Sequence, residues 1–126
     1  WTDLSSLQRT KLLAIAGDTL GLLLRDSQIR ILILNGQSVV RNVEAVSGIL
    51  LAQREMPDWT LPRKSRDGIK GVAYSGSINK IGQINLEREV IVLGFNHNIQ
   101  SSFGVTNEVK RNIRRWIVDS IEEKTA

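Results

Sequence analysis

Val90-Ile91-Val92-Leu93-Gly94-Phe95 is the stretch that most narrows what this chain can fold into. Four β-forming residues run together, and the polar segment Asn96-His97-Asn98-Ile99-Gln100-Ser101-Ser102 follows at once. A short, uninterrupted apolar run reads as a strand buried on both faces, the habit of parallel sheets covered by helices. Ile29 to Leu34 is a second, near-continuous run, broken only by Arg30 and closed by Asn35-Gly36. After it, Val39, Val40, Val43 and Val46 form a helical stripe that Gly48 ends. Strand, polar tip, helix is how open α/β sheets place chemistry at the carboxyl ends of their strands. The expected fold is therefore α/β, a mainly parallel sheet flanked by helices in three layers.

The remaining segments fill in that frame. Leu7, Leu12, Leu13, Ile15, Ala16, Leu20, Leu23 and Leu24 recur at helical spacing, which predicts a helix from Ser6 to Arg25. Gly17 and Gly21 lie inside it and imply close packing against a strand, since each costs about 1 kcal/mol relative to alanine. Thr106 is the expected cap of a last helix with the stripe Val109, Ile113, Trp116, Ile117 and Ile121. Ile49 to Gln53 reads equally as helix or strand. Arg54 to Gly71 holds both prolines and reads as a long loop, with short strands as the alternative, and Gly71 to Ile84 reads as a strand or irregular hairpin. Residues 49–85 are thus expected to form an irregular β insertion.

At 126 residues the chain is a single α/β domain or the carboxyl-terminal part of a larger one. Starting at Trp1 without a methionine suggests a trimmed or processed chain. Its longest apolar runs fall far short of the roughly 20 residues a bilayer span needs, and no signal peptide is visible. The expectation is a cytoplasmic protein with no membrane partner. The absence of cysteine excludes disulfides, thiolate zinc sites and cysteine nucleophiles. No paired-acid or His-Glu-x-x-His spacing occurs, so neither a metal site nor a cofactor is expected.

Three constellations can carry chemistry. His97, the only histidine, sits just past a predicted strand, where it can donate to a developing anion or act as acid or base. Asn96, Asn98, Gln100, Ser101 and Ser102 add donors around it. A polar turn whose side chains bond local backbone explains the same residues more blandly. The Asn35-Gly36 turn opens a helix, whose N-terminal N–H groups attract anions. It lacks the spacing of a dinucleotide or phosphate-loop motif, and a tight turn accounts for it equally. Lastly, the chain carries net charge +4. Lys110, Arg111, Arg114 and Arg115 fall about 100–240° around the last helix from Val109, away from its apolar stripe. Arg63, Lys64, Arg66 and Lys70 form a second cluster near Trp59, a residue able to stack on a base. A solvated helix face is the common explanation of such patterns, but together they favour nucleic acid among anionic partners.

The two strand ends resemble the carboxyl-terminal half of a uracil-DNA glycosylase superfamily domain. Ile31-Leu32-Ile33-Leu34-Asn35-Gly36 looks like its first element. Val90 to Ser102, followed by Gly104 and the helix from Thr106, looks like its later strand, histidine motif and closing helix. The resemblance implies a parallel sheet between helices and DNA with a flipped base as ligand. It implies that His97 donates to the departing base anion, that Asn35 reads the base edge, and that Ser101 and Ser102 touch the backbone. Water activation would belong to an amino-terminal half, the chain's own or a partner's. Two other classes compete. One is a non-enzymatic interaction domain using Trp1, Trp59 and Trp116; the other binds nucleotides at the Asn35-Gly36 turn.

Overall fold

A computed structural model describes residues 6–63, 66–97 and 106–125, with side chains at 6, 9–10, 12–14, 62–63, 66–69 and 125 excepted. Helix α1 (Ser6–Arg25) leads to strand β1 (Ile31–Asn35) and helix α2 (Gln37–Ser47). Three long strands follow, β2 (Ala52–Arg63), β3 (Arg66–Ile81) and β4 (Ile84–Phe95), and helix α3 (Asn107–Thr125) closes the chain. The strands form one sheet in the order β1-β4-β3-β2. The α/β class and the three predicted helices are present. Thr106 caps α3 as expected, its hydroxyl accepting from the Val109 N–H at 3.2 Å.

The sheet is not mainly parallel. Only β1 and β4 run parallel; β4 with β3 and β3 with β2 are antiparallel. A parallel pair needs a crossover of a dozen or more residues, and only β1 and β4 have one between them. Gly82 and Gln83 make a two-residue turn between β3 and β4, with Gly82 at φ +58. Nor is 49–85 an insertion, because β2 and β3 make up half of the sheet's strands. The misleading signal was the proline pair. Pro57 and Pro62 lie on β2, an edge strand, where a missing N–H leaves no interior ladder bond unmade. The β2–β3 register shifts between Met56 and Leu61 and again between Leu61 and Arg63, beside those prolines.

Alternation along the strands feeds two cores. Leu34, Tyr74, Ile78, Val90 and Val92 pack with Leu24 of α1 and with Val40 and Val43 of α2. Trp59, Leu61, Ala73 and Phe95 pack with Val109 and Ile113 of α3. Successive side chains of a strand point to opposite faces, so α1 and α2 cover one face and α3 the other. The α1 glycines serve this packing. A Cβ on Gly21 would lie 2.8 Å from the Ile84 Cβ, where β4 begins, while one on Gly17 would meet Val46 of α2 at 3.1 Å. The end of α1 is held by Arg88 of β4, whose guanidinium donates to the carbonyls of Leu24 at 2.7 Å and Ile29 at 2.6 Å. A cation there satisfies helix-end carbonyls and suits the negative end of the helix dipole.

Gly71 is the tightest point of the α3 side. A Cβ there would fall 2.2 Å from the Trp59 Cβ and 3.2 Å from the Met56 carbonyl oxygen. Gly71→Ala is expected to lower unfolding stability by about 2–3 kcal/mol through overpacking, read as a shifted urea midpoint at unchanged slope.

Candidate functional site

The carboxyl ends of β1 and β4 lie side by side, Asn35 opposite Phe95, as parallel pairing demands. Gly36, at φ 105, turns the chain from β1 into α2, a conformation open to glycine and strained for other residues. Gly94 lets α2 sit close, since a Cβ there would lie 2.9 Å from the Val40 Cγ2. The two strand ends then bond each other. The Gly36 N–H donates to the Phe95 carbonyl at 2.9 Å and the Gln37 N–H to the Asn96 carbonyl at 3.2 Å. Two N–H groups that an anion would use at this turn are therefore already engaged.

Asn96 is a clamp between strands. Its Oδ1 accepts from the Val72 N–H at 2.7 Å and its Nδ2 donates to the Lys70 carbonyl at 2.9 Å. Its own N–H donates to the Val72 carbonyl at 3.2 Å. This side chain continues the β3–β4 ladder one residue past Phe95.

His97 is buried, at 3% exposure. Its Nε2 lies 2.7 Å from the Trp59 carbonyl oxygen. A carbonyl only accepts, so Nε2 carries the proton and donates. His97 thereby links the tip of β4 to β2 across the α3-side core. Trp59 is fully buried, and its ring meets that of Trp116 edge to face at 5.3 Å and 76°. Asn112 of α3 donates from Nδ2 to the Asp58 carbonyl at 2.9 Å. Trp59 is thus part of the interior of this domain, and Trp116 packs against it while partly exposed along the groove between α3 and β2. Trp1, Asn98, Gln100, Ser101, Ser102 and Lys64 lie outside the described residues.

The cations gather elsewhere. Arg111, Arg114 and Arg115 are exposed on α3 and Lys110 is half-buried beside them. None of the four forms an ion pair among the described residues. Lys70 is exposed and lies 3.6 Å from Glu55. Arg63 and Arg66 face each other at the tip of the β2–β3 hairpin. Helix α3 runs antiparallel to β2. Gln53 and Arg54 share a groove with Glu123 and Lys124, Asp58 bonds Asn112, and Leu61 packs in one core with Val109. The cationic first half of α3 and the hairpin tip therefore come to one end of the molecule. Sequence spacing could not bring them together, because the pairing of α3 with β2 is a tertiary fact.

Among the described residues no group of three or more acidic or histidine side chains is placed to hold a metal, and no helix is long and apolar enough to cross a membrane. Comparison with protein-family models, with curated proteins and with solved structures finds no match.

His97→Ala would remove a buried donor and strand the Trp59 carbonyl. It is expected to cost about 2–3 kcal/mol in stability. The check is a urea titration monitored by tryptophan fluorescence.

Proposed function

We propose that this domain binds nucleic acid, DNA foremost, on the basic end built by the first half of α3 and the tip of the β2–β3 hairpin. The observation that supports the reading is the antiparallel seating of α3 on β2, which brings the cationic first half of α3 to the hairpin end of β2, 40 residues or more away in sequence. The charge pattern supports it further. Lys110 and Arg114, and Arg111 and Arg115, are like-charged pairs four apart on one helix, and each such pair destabilises by about 0.2–0.5 kcal/mol. Phosphates would convert that repulsion into attraction, with counterion release as the driving force. Exposed arginines suit phosphate contacts that position a duplex without reading its sequence.

Binding is the part of the glycosylase resemblance that this geometry favours. In the excision chemistry, His97 would donate to a departing base anion, but here its Nε2 proton is given to Trp59 at a buried position. A structural role for His97 fits that arrangement better. Base excision in this reading would need a further half of the enzyme and a rearranged His97. The nucleotide-binding alternative is weakened in the same way, by the engagement of the Gly36 and Gln37 N–H groups.

The test is fluorescence anisotropy of labelled duplex DNA across a salt series. The wild-type affinity should fall steeply with salt, and Arg111→Ala/Arg115→Ala should reduce the log–log slope by about 2, one unit per lost phosphate contact. Affinity independent of salt, or a double variant indistinguishable from wild type, would overturn the proposal.

A further inference from the structure

We infer that the free edge of β1 and the groove beside it receive an extended, acidic and apolar segment of another protein, added to the sheet as a fifth strand. Among the described residues β1 is a terminal strand, paired only with β4. The phase of that pairing follows from its two ends, where the Ile91 N–H donates to the Arg30 carbonyl and the Gly36 N–H to the Phe95 carbonyl. Residues 30 and 36 thus face β4, and the alternation of a parallel ladder turns 32 and 34 the same way. The N–H and C=O groups of Ile31 and Ile33 therefore point away from the sheet, a ready template for another strand.

The side chains beside that edge state what the strand should carry. Ile33 is 49% exposed on the α3 side. With Phe95, Ile113 and Ile117 it floors a groove of about 240 Å³ whose α3 wall presents Lys110 and Arg114. An incoming strand would set side chains over this groove at every second residue. Apolar side chains would cover Ile33, and carboxylates two residues away would meet the two cations. A second copy of this chain fits less well. Pairing β1 with β1 about a twofold axis would bring Lys110 and Arg114 of both copies to one groove, like charge against like. Main-chain bonds supply affinity in strand addition and alternate side chains supply selectivity. The inference does not depend on nucleic-acid binding: it rests on the β1 edge and Ile33, and only Lys110 and Arg114 are common to the two surfaces.

The test uses a twelve-residue peptide alternating aspartate and valine, its lysine–valine counterpart, and amide hydrogen exchange on the intact chain. The acidic peptide should bind in a salt-dependent way and slow exchange at Ile31 and Ile33, while the lysine peptide should not. Lys110→Ala/Arg114→Ala and Ile33→Gln should each weaken acidic-peptide binding roughly ten-fold. Ile33→Gln should leave DNA affinity unchanged, so that failure of either function is seen separately. Four outcomes would overturn the inference: no peptide binding, equal binding of both peptides, binding without protection of Ile31 and Ile33, or protection that rises with protein concentration alone. The last would assign the edge to a second copy.

Discussion

The side of the molecule that carries α3 depends on the burial of Trp59. Its ring fills the space between β2 and α3, against Trp116, and its carbonyl accepts the hydrogen bond that the His97 Nε2–H donates. A backbone carbonyl buried at a strand irregularity has lost regular ladder partners, and leaving it unbonded would cost about 1–3 kcal/mol. His97 supplies the donor from the neighbouring end of β4. Gly71 supplies the room, since any side chain there would meet the Trp59 Cβ. One aromatic residue thus fixes three things: where α3 lies, where the β4 tip goes, and which residue must be glycine on β3.

The same accounting covers the polar residues at the two strand ends. Polar residues at strand ends either face a ligand or satisfy backbone left over from the ladder. Here Asn96 takes both of its bonds from β3, His97 gives one to β2, and the Gly36 and Gln37 N–H groups close onto β4. Those bonds extend the sheet beyond its regular length. The residue types are the same as those of an anion site, and only their partners differ.

Among the described residues the α3 cations form no ion pairs, and the seating of α3 on β2 brings its first half to the end of the molecule that holds the hairpin tip. On the opposite flank, a short apolar strand ends the sheet without the charged or irregular features that usually blunt an edge. Like charges four apart and an exposed strand edge each cost stability or solubility in isolation.

Local sequence determined the helices and two of the strands, because their signals lie within a few residues. Hydrophobic spacing marked α1 and α3, Thr106 and Gly48 marked helix ends, and β-branched runs marked β1 and the second half of β4. The α/β class followed from these. Tertiary structure decided the direction of the strands, since an apolar run is buried equally well in parallel and antiparallel sheets. It also decided that β2 tolerates two prolines, because edge position is a property of the sheet and not of the strand. The roles of Asn96 and His97 were likewise illegible in order of sequence: their partners, Val72, Lys70 and Trp59, lie 24 to 38 residues away. A side chain's chemistry is written in its residue type. Whether that chemistry faces a ligand or a backbone carbonyl is settled only when distant strands meet.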